Sequence, residues 1–406
     1  MAKLLAFNVP TTGHVNPTLP VIRELTSRGH TVTYYLTEPY RKAVEAAGGE
    51  FCPYDSGIPA ARIPPDYFER RDLDGSRPAD TARNLAATAL DVLPDLLKIV
   101  EAEQPDAIFH DSMCPWGWMV ARVAGLSNVS STTLLSFDPL MMIRTSGLFP
   151  ILRLGFASFP YLRQFTQKAK EIERAYPVIT MPDFIRFMDM RGTLTISYTS
   201  SMFQPQADRL APDVKFVGPS IEPQPRDSDF PWDALDGRPL IYISLGTVIN
   251  QNAAFYRSSF DAFKDTSAQV VMSVGKATDI AALGSIPPNF IVRNYIPQLE
   301  ILQKATAFVT HGGMNSIHEA LYYNVPLIVV PQSPEQRVVA KRVKELGAGM
   351  HLNNATPSAS DLARAAQFVM NDPKYRECAA LVGESLRSAG GPTRAADEIE
   401  HLIRAL

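Results

Sequence analysis

Short apolar runs alternate with helical patterns along this chain, and they do so twice, on either side of a proline-rich stretch. Leu4–Asn8 is followed by Pro17–Arg28, where Leu19, Ile22 and Leu25 fall at helical spacing and Gly29 supplies a stop. His30–Leu36 alternates Val32 and Tyr34 with polar neighbours, and the helical stretch Ala86–Glu103 leads into the run Ala107–His110. This strand–helix rhythm implies a parallel sheet covered by helices on both faces. Val217 to Arg238 breaks it: Pro219, Pro223, Pro225 and Pro231 stand among Asp and Ser without periodicity, as in a linker. The rhythm then restarts with Leu240–Ser244, Gln269–Val274, Phe290–Arg293, Ala307–Thr310 and Pro326–Val330, short and Val/Ile-rich like buried parallel strands. The expected fold is α/β, with two Rossmann-like domains whose parallel sheets face each other across a cleft. Their expected extents are 1–216 and 239–385, joined by a linker over 217–238. A C-terminal helical segment, 386–406, carries the amphipathic stretch Arg394–Leu406 and can pack back on the N-terminal domain.

Bulk properties narrow the function classes. A length of 406 residues suits two domains, and 46% hydrophobic with 20% charged residues is globular composition. The formal charge of −3, without a basic stripe or a block of like charges, argues against a nucleic-acid or anionic-membrane partner. Cys52, Cys114 and Cys378 are odd in number and lack CxxC spacing, so neither a disulfide framework nor a zinc site fits and a cytoplasmic location is expected. Met1–Pro10 is too short and too quickly broken for a signal segment. The most apolar region, Leu140 to Leu162, is interrupted by Arg144 and Arg153 and therefore does not read as a membrane span. The first strand–helix turn, Pro10-Thr11-Thr12-Gly13-His14, lacks the glycine spacing of a dinucleotide-binding dehydrogenase, and no P-loop occurs.

In the second half, strand Ala307–Thr310 runs into His311-Gly312-Gly313-Met314-Asn315-Ser316 and then a helix carrying Glu319. Two glycines let a phosphate approach the backbone, and the following helix N-terminus offers free N–H groups and a positive dipole end. Asn315 and Ser316 stand where a cap would be, able to donate to phosphate oxygens and start the helix. A plain strand–turn–helix would look the same at this level. After the next strand comes Pro331-Gln332-Ser333-Pro334-Glu335-Gln336.

In the first half, His14 follows the first strand, with Asn16 as a natural N-cap and Pro17 as a natural first helical residue. The positive end of that helix favours the neutral imidazole a general base needs. Asp111 follows Ala107–His110 on the same carboxyl edge, where it can orient the histidine or merely cap the helix near Pro115. His110 points to the other face of its strand and reads as structural.

Taken together, His311 to Gln336, the opening Gly13-His14-Val15-Asn16-Pro17 and the segment Ile296-Pro297-Gln298-Leu299 resemble the family 1 glycosyltransferases of GT-B fold. The resemblance covers nearly the whole chain and is strongest to the bacterial macrolide-glycosyltransferase subgroup, which also glycosylates flavonoids. It implies that residues 1–216 bind the acceptor and 239–385 the nucleotide sugar. It also implies that His311 bonds the diphosphate, with Asn315, Ser316 and the amides around Gly313 assisting. Glu319 would take the ribose hydroxyls, Glu335 and Gln336 the sugar hydroxyls, and Gln298 would lie near the uracil. Ser244, Gly246 and Thr247, in the Ser-Leu-Gly-Thr turn, would face the phosphates. Tyr295 departs from the pattern: many relatives have a stacking tryptophan there, and the smaller ring leaves the choice between uridine and thymidine open. The matching His14 and Asp111 would form the catalytic pair of an inverting hexosyltransferase that uses UDP-glucose and needs no metal or other cofactor.

Two DxD matches, Asp72-Leu73-Asp74 and Asp227-Ser228-Asp229, lie in polar loops and read as chance. Residues from Asp111 through Leu162 are rich in methionine and aromatics. Ser112, Met113 and Phe137, which follow strand ends, are expected to wall a pocket for an apolar, hydroxylated small-molecule acceptor. A flavonoid, another phenol or a macrolide would fit, and the chain is expected to be a monomer or weak oligomer. Two other readings stay open: a nucleotide-sugar epimerase on the same fold, and a non-catalytic nucleotide-sugar sensor.

Overall fold

The structure is a computed structural model that describes residues 1–54, 77–136, 148–222, 229–247 and 250–405. Phe137, Asp72, Leu73, Asp74, Asp227 and Ser228 lie outside the described residues. Two compact units divide the chain: Met1–Ser200, Gln206–Ile221 and Ala389–Leu406 form the first, Ser201–Pro205 and Glu222–Ser388 the second.

The first unit is built on strands β1 (Lys3–Phe7), β2 (Thr31–Leu36), β3 (Glu50–Pro53), β4 (Ala107–Asp111), β5 (Asn128–Thr132), β6 (Leu194–Ser197) and β7 (Val214–Phe216). All pair in parallel, in the order β3-β2-β1-β4-β5-β6-β7. Side chains of a strand alternate between faces, and here both faces are covered, so every second residue joins one of two cores. Leu5, Phe7 and Ile108 pack with Ala86, Leu93 and Leu96 of the helix Arg77–Glu103 and with Trp116 and Met119 of the helix Pro115–Ala124. Leu4, Ala6 and Phe109 pack with Val21, Ile22 and Leu25 of the helix Leu19–Ser27. The last helix, Gly391–Arg404, joins this second core through Ala395, Ala396 and Ile399. It is fastened at its rim by Arg28 to Asp397 at 2.7 Å and His30 to Glu400 at 3.1 Å.

The second unit repeats the plan with β8 (Leu240–Ser244), β9 (Gln269–Ser273), β10 (Phe290–Arg293), β11 (Ala307–Thr310), β12 (Leu327–Val329) and β13 (Gly349–His351), ordered β10-β9-β8-β11-β12-β13 and parallel throughout. Ile241, Ile243, Val270, Met272 and Val309 form its core with Phe255, Phe260 and Leu362.

In each sheet the chain leaves a central strand to one side and later returns to its other side. The crevice between the carboxyl ends of β1 and β4, and that between β8 and β11, are therefore topological switch points, where open α/β sheets bind ligands. His14 and Asp111 follow β1 and end β4; Gly246 and His311 follow β8 and β11. Among the described residues no helix is long and apolar enough to cross a membrane.

Candidate active site

At the first switch point the helical turn opens earlier than the sequence pattern implies. Thr11 is extended (φ −127°, ψ 136°), and its carbonyl accepts from the N–H groups of His14 (3.0 Å) and Val15 (2.9 Å). The short helix Thr12–Val15 then passes through a 3-10 turn, Asn16–Thr18, into Leu19–Ser27. Asn16 is itself helical (φ −54°, ψ −43°), so it does not cap, and Pro17 sits in the 3-10 turn. A proline tolerates that place because its φ is already helical and the lost N–H falls at an irregular turn. His14 lies within the first turn rather than ahead of it.

This places the His14 Nδ1 at 2.9 Å from Asp111 Oδ2, with Thr133 Oγ1 at 3.5 Å from the same nitrogen. The Asp111 side chain is wholly buried, while that of His14 keeps 15% of its surface. The other carboxylate oxygen of Asp111 accepts from the Met113 N–H at 2.7 Å. The helix Pro115–Ala124 begins after Cys114 with no side-chain cap, so Asp111 serves the histidine and a tight turn, not that helix. His110, one residue back, projects to the opposite face. It is buried, its Nδ1–H donates to the Asp111 carbonyl at 2.9 Å, and burial pushes its imidazole down to about 4.

Behind the pair lies a buried polar network that the sequence pattern did not reveal. Asn8 Nδ2 donates to the His14 carbonyl at 3.2 Å and to Tyr34 Oη at 2.8 Å. The Tyr34 hydroxyl meets Thr18 Oγ1 at 2.7 Å, and Thr18 Oγ1 donates to the Val15 carbonyl, also at 2.7 Å. The Tyr54 hydroxyl donates to the Asn8 carbonyl at 2.9 Å. The signal was a polar residue closing an apolar strand, counted only as its last position.

At the second switch point the imidazole of His311 lies between two glycines. A Cβ on Gly246 would come within 2.5 Å of its Cε1, and one on Gly313 within 2.6 Å of its Nε2. Gly246 also holds φ at +80°, which few other residues adopt. The ring is hydrogen-bonded to the backbone of Ser244, and burial pushes it down to about 4, so it is neutral near pH 7. Ser244 Oγ accepts from the Gly246 N–H at 3.1 Å, and Asn250 Nδ2 donates to the Gly246 carbonyl at 2.9 Å. Asn250, absent from the sequence reading, thus braces this turn; Thr247 beyond it is exposed.

The helix after His311 starts at Met314, with Gly313 as its cap and no side-chain capping bond. Asn315 and Ser316 are consequently its second and third residues, a correction to their expected capping place. No side chain caps this first turn, and helix N-termini of this kind direct N–H groups and a positive dipole end toward anions. Ser316 Oγ accepts from Gln298 Nε2 at 3.2 Å, and the same amide nitrogen donates to the Glu319 carboxylate. Gln298 Oε1 in turn accepts from the Tyr242 hydroxyl at 3.2 Å. Burial raises the half-buried carboxyl of Glu319 to about 7. Gln336 lies close by, its backbone carbonyl 3.3 Å from where a Gly312 Cβ would stand, and its Oε1 accepts from the Gln332 N–H at 2.8 Å. Glu335, in the first turn of the helix Pro334–Glu345, is exposed, as is Tyr295 at 66%.

The structure therefore gathers Ser244, Gly246, Gln298, His311, Gly313, Ser316 and Glu319 closely, and leaves Thr247, Tyr295 and Glu335 at the surface. Ser112 is wholly buried, and Met113 belongs to the apolar cluster of Trp116 and Met119. Among the described residues no three His, Cys, Asp or Glu side chains are grouped to hold a metal.

Known proteins share this architecture and its sequence. The family model described as "Erythromycin biosynthesis protein CIII-like, C-terminal domain" matches residues 257–402. The chain is 34% identical over 407 residues to the uncharacterized UDP-glucosyltransferase YojK of Bacillus subtilis (strain 168), covering 100% of this chain and 98% of that one. It is 35% identical over 401 residues to the NDP-glycosyltransferase YjiC of Bacillus licheniformis, covering 98% and 96%. The crystal structure of the glycotransferase of kitacinnamycin superposes with a TM-score of 0.82 at 27% identity, covering 98% of each chain. With two parallel Rossmann-like sheets and full-length identity of this order, the chain belongs to the family 1 glycosyltransferases of GT-B fold, enzymes that move sugars from nucleotide diphosphates.

Proposed function

We propose that this enzyme transfers glucose from UDP-glucose to a hydroxyl of an apolar small molecule (a flavonoid, another phenol or a macrolide) with inversion at the anomeric carbon and without a metal. The observation that carries the reading is the 2.9 Å contact between His14 Nδ1 and the buried Asp111. A carboxylate can only accept, so Nδ1 bears the proton and Nε2 is the basic nitrogen of the neutral ring. In this reading Nε2 removes the acceptor's hydroxyl proton as the oxygen attacks the anomeric carbon. The bond from that carbon to the diphosphate oxygen breaks, and UDP leaves with the electron pair. Asp111 stabilises the imidazolium that forms. The departing charge is met by His311 and the N-terminal end of the helix Met314–Tyr322. Glu319 receives ribose hydroxyls, while Gln336 and Glu335 contact the sugar.

The test is to incubate the protein with UDP-glucose, a chelator and a panel of phenols and macrolides. Release of UDP only when an acceptor is present, with a β-linked product, is the expected result. An epimerised donor formed without acceptor would instead establish the epimerase reading. Binding of UDP-glucose with no turnover on any acceptor would favour a sensor.

A further inference from the structure

Tyr242 has no place in the chemistry above, yet its hydroxyl, which also bonds the Ser244 side chain, belongs to a chain of hydrogen bonds that closes on Glu319. The ring lies in β8, buried and stacked on Phe308 of β11 with centroids 4.7 Å apart and planes at 12°. That stack and the strand pairing of Phe308 with Tyr242 leave the phenol little freedom. Its hydroxyl donates to Gln298 Oε1 at 3.2 Å, and Gln298 Nε2 donates both to Ser316 Oγ at 3.2 Å and to the Glu319 carboxylate. The directions are fixed by chemistry. An ionised carboxylate only accepts, so the amide nitrogen must face Glu319 and its oxygen must face the tyrosine, which can donate.

We propose that Tyr242 is a positioning residue for the nucleotide: by holding the Gln298 amide in one sense, it aims the Glu319 carboxylate at the ribose hydroxyls of the donor. This rests on the reading of the second unit's switch point as the donor site. Without the phenolic hydroxyl the amide oxygen loses its donor, and the side chain is held only through Nε2 by Ser316 and Glu319, so the Glu319 carboxylate is aimed less tightly. Tyr242 therefore acts on donor binding through Gln298, without touching the reacting atoms.

Tyr242→Phe keeps the stacked ring and removes the hydroxyl, with its bonds to Gln298 and to the Ser244 side chain. Measured by calorimetry, it should weaken UDP-glucose binding about three- to tenfold, the scale of one net hydrogen bond, and raise the KM for the donor similarly with kcat little changed. The pH profile supplies a readout that a packing role would not move. The bond from Gln298 favours the ionised form of Glu319, so its loosening shifts the acid limb of donor affinity to higher pH. The titratable groups that feel this carboxylate, Tyr242 and Tyr323, both have phenols raised by burial and stay neutral there. On a Gln298→Ala background Tyr242→Phe should have no further effect.

Unchanged affinity and pH profile in Tyr242→Phe, or an undiminished effect on the Gln298→Ala background, would overturn the proposal while leaving the donor site standing. Failure of the wild-type protein to bind UDP-glucose would remove both. Should the phenylalanine variant fold poorly, Gln298→Ala must itself shift the acid limb, and its failure to do so overturns the proposal equally.

Discussion

Glu319 is the residue whose charge state turns most directly into a measurable property. Its carboxyl is raised to about 7 by burial, well above an ordinary glutamate, so it is largely neutral at pH 6 and largely ionised at pH 8. In its proposed role as the ribose acceptor, only the ionised form gives both oxygens as acceptors. Affinity for UDP-glucose should therefore be full above pH 7 and fall as pH drops through it, by up to about tenfold between pH 8 and pH 6. UDP-glucose is the right probe because its diphosphate is esterified at both ends and does not titrate in this window. His311, neutral from about 4 upward, does not titrate there in the free protein either. Calorimetric binding at several pH values checks this, and a flat profile would show that Glu319 does not contact the nucleotide. The sequence pointed to Glu319 as an acceptor through its place in a resemblance. Its raised carboxyl comes from burial by packing contributed from elsewhere in the chain, which outweighs the opposing bond from Gln298, and no local pattern carries that.

At the scale of elements, strands made of apolar residues were legible, and strands made of polar ones were not. β1 and β8 to β12 are runs of Leu, Ile, Val and Phe. β5 reads Asn-Val-Ser-Ser-Thr, yet all five residues are buried, in part through polar pairing: Asn128 Oδ1 accepts from the Thr193 N–H at 2.7 Å and Ser130 Oγ donates to the Met190 carbonyl at 2.6 Å. Hydrophobic periodicity cannot detect burial that rests on polar pairing. The helix starts were misread for a related reason. Asn16 and Asn315 are good caps by composition, but the preceding extended Thr11 and Gly313 break the strand first. The same geometry makes the turn after β8 sensitive to a single methyl group. Gly246→Ala would force a non-glycine residue to φ near +80° and drive its Cβ into the His311 ring at 2.5 Å. The strain is on the order of 1–3 kcal/mol, relieved by moving His311, so donor binding should weaken about tenfold or more. Calorimetry with UDP-glucose would register this, and wild-type affinity would mean that His311 need not sit between the glycines.

For the whole molecule, two units of the same plan present different chemistry at the same topological place. The first brings a histidine and a buried carboxylate to the gap between β1 and β4. The second brings a neutral histidine, glycines and a helix N-terminus to the gap between β8 and β11. That two such units exist was legible from the doubled rhythm and the proline-rich break between them. Packing of the last helix on the first unit was one option the amphipathic stretch allowed, and Ala395, Ala396, Arg28 and His30, which no local pattern brings together, make that choice. On the proposed reading, the base and the donor site can be disabled separately. His14→Ala tests this most directly, with steady-state transfer and UDP-glucose affinity measured on the same preparation. The expected result is a fall in kcat of about 10²–10⁴ with an unchanged dissociation constant for UDP-glucose. Transfer at the wild-type rate, or a collapse of donor affinity with turnover intact at saturation, would contradict it.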